Sequence, residues 1–141
     1  MMNDLLKSSV SFRIVDDNLD PLEITGMLGI EPYKAHRKGD PNTTVTKKGK
    51  IMEFSPHRFG VWLIRSKEVE TATLEEHVKS LLALLEPAKD KLAELFDRGY
   101  KMDLFCGIFA NSCHQPGFDI DHSVLKKLGE LNITLGVCFY S

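Results

Sequence analysis

The sequence predicts an α+β domain, a ferredoxin-like two-layer sandwich with helices on one face of a mainly antiparallel sheet. Three observations predict it. Strand-like patterns recur at 8–15, 59–65, 102–110 and 133–140, and capped helical periodicity fills the intervals between them. The chain also echoes itself. Phe12-Arg13-Ile14-Val15, Asp20-Pro21 and Leu28-Gly29 have counterparts in Phe105-Cys106-Gly107-Ile108-Phe109, Asp121-His122 and Leu128-Gly129. That order of strand, acidic cap and Leu-Gly helix end suits the pseudo-symmetry of the ferredoxin-like fold.

The elements follow in order. In 8–15, Val10, Phe12 and Ile14 alternate with Ser9, Ser11 and Arg13, the pattern of a half-buried strand. Asp20 is placed as an N-cap with Pro21 at the first helical position, and Gly29 closes that helix. Residues 34–56 collect six basic side chains, Lys34, Arg37, Lys38, Lys47, Lys48 and Lys50, with Gly39, Gly49, Pro41 and Pro56 between them. This predicts an inserted basic hairpin arm, with its tip at 47–50 exposed and Phe54 buried at its base. Thr73-Leu74-Glu75-Glu76 is a capping box, and Leu74, Val78, Leu81, Leu82 and Leu85 follow at helical spacing. One helix from there to Arg98 would be about 39 Å long at ~1.5 Å per residue. The paired strands reach only about 23 Å, so Pro87 is expected to split the segment in two. A short helix carrying Val124, Leu125 and Leu128 precedes the last strand.

The 141 residues form one domain, 1–141, large enough for a core without staples. With 43% apolar and 27% charged residues the chain is not a disordered one, and a net charge of −2 gives no field for nucleic acid or anionic membrane. No apolar run approaches the ~20 residues of a membrane helix. The first residues lack the basic and apolar segments of a secretory signal, and the three cysteines are odd in number. A cytoplasmic protein with reduced thiols is expected.

Leu28-Gly29-Ile30-Glu31-Pro32, Arg37-Lys38-Gly39 and Trp62-Leu63-Ile64 with Ser66 form a set that resembles an uncharacterised bacterial family. It is the domain-of-unknown-function family numbered forty-two seventy-nine. The helix with Leu74, His77, Leu81, Leu82 and Pro87, and the closing strand ending in Tyr140, fit the same pattern. The resemblance spans nearly the whole chain. It implies a small intracellular bacterial α+β domain without an established activity and carries over no catalytic residues.

The residues themselves offer little chemistry. Cys113-His114 with Asp119, Asp121 and His122 is the densest set of metal-ligand types, but its spacing matches no finger, ribbon or helical histidine pair. Asp119 or Asp121 reads equally as a helix cap. Cys113 beside His114 is the one candidate nucleophile, and sequence neighbours on a loop usually point apart. Cys106 and Cys138 sit in strands and read as core thiols. The lysines of the arm could hold an anion, yet they match no phosphate-loop pattern and only Tyr33 and Phe54 flank them for base stacking. No catalytic residue, cofactor or metal is assigned, and nucleic acid is not the expected partner.

The informative anomaly is the sheet. Three strands are apolar on both sides: Met102, Leu104, Cys106 and Ile108 against Phe105 and Phe109; Leu135, Val137 and Phe139 against Gly136, Cys138 and Tyr140; Val61 and Leu63 against Trp62 and Ile64. A sandwich with helices on one side needs one apolar sheet face. The second face is therefore expected to be covered, by the arm, by a twin subunit or by a ligand. Arg13, Trp62, Phe105, Phe109 and Tyr140 are its candidate contact residues. They support a non-enzymatic binding or protein-interaction module, with a homodimer or another protein on that face. The alternative is a small-molecule-binding or hydrolytic domain with an aromatic pocket there.

Overall fold

The computed structural model describes residues 7–109 and 117–140. Its elements are β1 (Lys7–Asp16), α1 (Pro21–Leu28), β2 (Lys34–His36), β3 (Asn42–Val45), β4 (Ile51–Phe54), β5 (Gly60–Arg65), α2 (Leu74–Leu85), α3 (Lys89–Asp97), β6 (Lys101–Phe109), α4 (His122–Glu130) and β7 (Thr134–Tyr140). The caps stand where local chemistry puts them. Asp20 Oδ1 accepts from the Leu22 amide at 3.1 Å, Thr73 Oγ1 from Glu76 at 3.1 Å, and Asp121 Oδ2 from Ser123 at 3.1 Å. Each bond satisfies one of the amides that the first turn of a helix leaves open. Gly29 ends α1 with φ 68°, the left-handed cap conformation that glycine adopts without strain. Pro87 lies in the single 3-10 turn, Glu86–Ala88, that separates α2 from α3. Gly129 does not end α4 as the internal echo suggested; it lies inside the helix, and Asn132 takes the positive φ of 60° beyond it.

The five-stranded sheet runs β2-β5-β1-β6-β7. All neighbours are antiparallel except β6 and β7, which are parallel and joined through α4. Because β2 and β1 are both antiparallel to β5, β1–α1–β2 is a parallel unit split by an intervening strand. The fold is α+β with a mostly antiparallel sheet.

The register decides which residues share a face. Phe12 is opposite Ile64 on one side and Leu104 on the other, and Ile14 is opposite Trp62 and Met102. These side chains are buried against Ile24, Leu81, Leu85, Leu92, Leu95 and Val124 of the helices. Trp62 is therefore a core residue, 0% exposed, its Nε1 donating to Thr25 Oγ1 of α1 at 3.0 Å and its ring edge-on to Phe12. This corrects its assignment to the contact face: β5 alternates, and Trp62 with Ile64 takes the helix side while Val61 and Leu63 take the other.

The stretch 34–56 is not one arm. Lys34–His36 is the sheet strand β2, and the hairpin is confined to β3 and β4, paired Asn42↔Phe54 through Val45↔Ile51. Its turn is closed by Thr46 N–H to Lys50 C=O at 2.8 Å and by Gly49 with φ 81°. Lys47, Lys48 and Lys50 are exposed. Phe54, expected to be buried, is 52% exposed, and Val45, Ile51 and Met52 are exposed with it. A hairpin lying on the sheet would bury alternate residues. This one buries none of the four, so it does not cover the second sheet face.

Gly60, opposite Asp16 at the start of β5, has the closest neighbours of the described glycines. A β-carbon there would stand 2.7 Å from the Asp16 carbonyl and 2.9 Å from Leu19 Cβ. Both neighbours are fixed by the β1–α1 turn, so Gly60→Ala is expected to lower stability by about 1–3 kcal/mol, the usual cost of overpacking. Urea unfolding followed at Trp62 checks this.

Candidate binding face

The sheet face opposite the helices is set by the odd-numbered residues of β1. Ser9, Ser11, Arg13 and Val15 share it with Val61 and Leu63 of β5, with Asp103, Phe105, Gly107 and Phe109 of β6, and with Gly136, Cys138 and Tyr140 of β7. Val15, Val61, Leu63 and Phe105 are half-buried yet stand outside the packed core. The face thus carries apolar side chains on β5 and β6 to either side of the polar Ser9, Ser11 and Arg13 of the central strand, and no described element covers it.

Two aromatic clusters mark it. Arg13 and Asp103, opposite one another on β1 and β6, form a paired contact: Nε to Oδ1 at 2.9 Å and Nη2 to Oδ2 at 2.7 Å. The Arg13 guanidinium also lies 4.8 Å from the centre of the Phe105 ring. The hydrogen bond to Asp103 holds its proton above the ordinary arginine range. At the end of the face, Phe109 and Tyr140 stack with centroids 4.8 Å apart and planes 14° from parallel. They are 43% and 42% exposed. Gly107 lies against that stack: a β-carbon there would sit 3.4 Å from both rings, at van der Waals contact. A groove of about 660 Å³ opens beside Arg13, Asp103, Val61 and Phe59.

Of the candidate contact residues, Arg13, Phe105, Phe109 and Tyr140 come together on this face; Trp62 does not. Arg13 is already matched to Asp103, so a planar acid would have to displace that carboxylate. The basic residues scatter. Arg37 pairs with Asp20 at 2.8 Å and Lys38 with Asp17 at 3.7 Å, while Lys47, Lys48 and Lys50 stay at the hairpin tip. Cys113 and His114 lie outside the described residues. Asp121 caps α4 and its amide donates to Glu75 Oε2 at 2.6 Å; bonds from Ser123 pull its carboxyl below the usual range. Asp119 and His122 are exposed, and among the described residues no three metal-ligating side chains converge. A second cavity, about 480 Å³, lies at the start of α2 between Ser8, Thr73 and Phe118, with Glu75 in its wall.

Two histidine contacts have no counterpart in the sequence reading. His77 of α2 is 2% exposed, its Nδ1 2.8 Å from Ser66 Oγ and its Nε2 without a partner. His36 stacks on His57 with ring centres 3.4 Å apart, and its Nδ1 is buried without a partner. Only the helical spacing of His77, three residues after Leu74 and one before Val78, signalled an inward position. Burial lowers the proton affinity of both His77 and His36, and the neighbouring His57 lowers that of His36 further. Burial pushes the Cys106 thiol up to about 12, far from the thiolate a nucleophile needs. Cys138, expected in the core, is exposed instead, because it lies on the open face of the outer strand β7.

The sequence matches the family described as Domain of unknown function (DUF4279) over residues 6–141. The chain belongs to that family. No curated protein and no solved structure matches it. The family carries no assigned activity, so function rests on the geometry of the face. No helix among the described residues is long and apolar enough to cross a membrane.

The histidines predict a pH dependence. With folded proton affinities below the unfolded value of about 6.5, the unfolded chain binds more protons below that pH. Stability is therefore full above pH ~6.5 and falls as the pH drops through it. Denaturant midpoints at pH 7.5 and 5.5 are expected to differ in that direction, and His77→Gln to shrink the difference. An unchanged difference in that variant would remove His77 from the account.

Proposed function

We propose that this DUF4279 domain is a non-enzymatic interaction module that binds a protein partner through its open sheet face, on a ferredoxin-like sandwich extended by α4 and β7. The single observation that carries the reading is the exposed Phe109–Tyr140 stack on a sheet face that no element among the described residues covers. The β1–α1–β2 unit split by β5, with β6 on the far side of β1, supports the ferredoxin-like arrangement. Cytoplasmic placement in a bacterial cell fits the odd cysteine count and belongs to the same proposal.

An apolar face costs solubility unless something occupies it. Neither the hairpin nor the helices do so, and Arg13–Asp103 gives the face one fixed polar landmark among apolar neighbours. Interfaces of this kind gather aromatic and arginine side chains at their centres. The alternative, a small-molecule-binding or hydrolytic domain, is favoured by one observation: the groove of about 660 Å³ beside Arg13 and Phe59 has the size of a ligand pocket. The carboxylate lining it, Asp103, is taken up by Arg13, so binding is the reading we adopt.

The dye 1-anilinonaphthalene-8-sulfonate, which brightens on exposed apolar surface, tests the face directly. The native chain is expected to enhance its emission saturably, and Leu63→Lys with Phe109→Ser to abolish most of that enhancement while leaving the circular dichroism unchanged. No enhancement by the native chain would contradict the proposal. Phe109→Ser alone is expected to cost about 1–2 kcal/mol, the worth of the aromatic pair it removes. Phe12→Ala, on the core side of the sheet, should cost about 3–5 kcal/mol.

A further inference from the structure

The two outer strands of the sheet are built differently. β2 has three residues, begins with Lys34 and follows Pro32 closely. Short, charged edges near proline are how sheets discourage pairing. β7 has seven residues, Thr134–Tyr140, with neither a charge nor a proline among them. Its register with β6 is unbroken from Asp103↔Thr134 to Phe109↔Tyr140, so no bulge twists it away. Among the described residues no strand pairs with its outer side, and Cys138, Phe139 and Tyr140 are exposed. Half of its backbone amides and carbonyls therefore point outward, an open ladder for another strand.

We propose that this edge pairs antiparallel with β7 of a second copy of the chain, about a two-fold axis at Cys138. In that register Cys138 meets its own symmetry mate, Val137 meets the partner's Phe139, and Gly136 meets the partner's Tyr140. Both of the latter pairs set a large side chain against a small one. Tyr140, on the open face, lies across a glycine that has no side chain to obstruct it. Phe139, on the helix face, lies across the half-buried Val137. The sequence of the strand is complementary to itself in this arrangement, which is why a second copy, and not an unrelated peptide, is the occupant.

The consequence deepens the interaction-module reading and in that respect rests on it. A two-fold axis perpendicular to the sheet puts both open faces on the same side. The two Phe109–Tyr140 stacks then flank the axis, and the binding face becomes one continuous surface over two subunits.

Directly opposed residues of antiparallel strands have Cα atoms about 4.5–5.5 Å apart, within the span a disulfide bridges. The experiment uses the full chain with Cys113→Ser and the oxidant diamide, which takes one hydrogen from each of two thiols and leaves them joined. A reducible covalent dimer is expected, absent when Cys138→Ser is added; Cys106 is buried and does not compete. Reduced native protein is expected to scatter light as twice 15.9 kDa, and Phe139→Lys to return it to the single-chain mass. A single-chain mass for the native protein overturns the proposal. So does the absence of a Cys138 disulfide where maleimide shows Cys138 to be reactive. Phe139→Lys should keep the dye response of the open face, and Leu63→Lys with Phe109→Ser should keep the dimer. Failure of the edge and failure of the face are thus told apart.

Discussion

The pairing of β1 on both of its edges governs the rest of the structure. β1 is the central strand, hydrogen-bonded to β5 from Ser11 to Asp16 and to β6 from Lys7 to Val15. Its side chains alternate strictly: Val10, Phe12 and Ile14 are 1% exposed or less, while Ser9, Ser11 and Arg13 look the other way. A slip of one residue would exchange the two sets and put Arg13 into the core. Since β1 fixes the register of both neighbours, it also fixes where Trp62, Leu104 and Met102 go. The helices then pack on the side that this alternation makes apolar, and the opposite side is left to whatever Phe105, Phe109 and Tyr140 can attract.

Much of this was legible in the chain. Helix starts were written in Asp20-Pro21, Thr73 and Asp121, because a cap is a local bond between neighbours in sequence. The break at Pro87 followed from length and from the missing amide of proline. The two-sided apolarity of the strands was visible as well. What alternation could not supply was which side of β5 meets the helices. Val61 and Leu63 are as apolar as Trp62 and Ile64, and only pairing with β1 distinguishes them. Trp62 was misplaced for that reason.

The hairpin failed differently. Gly49 and the lysines around it mark a tip at 47–50, and the turn is there. Tertiary pairing, however, drew Lys34–His36 out of the supposed arm into the sheet as β2, against the pull of a charged, proline-flanked sequence. Phe54 is expected to pack on the sheet at the base of the arm because it is large and apolar, yet it only lines a shallow cavity with His36, His57 and Phe59 and stays 52% exposed. The candidate face lost Trp62 for want of register, and kept Arg13, Phe105, Phe109 and Tyr140 because parity along β1, β6 and β7 is unambiguous once the strands are aligned. The buried His77–Ser66 contact and the His36–His57 stack each join a loop residue to one in a separate helix or strand, and no local pattern encodes them.

The central claim is that one sheet face holds the core while the other is open to a partner, and side-chain footprinting with hydroxyl radicals on dilute protein tests it most directly. Phe109 and Tyr140 are expected to oxidise readily, with Phe12 and Trp62 protected until the chain unfolds. Equal protection of Phe109 and Tyr140 in the dilute single chain, or rapid oxidation of Trp62, would contradict the account.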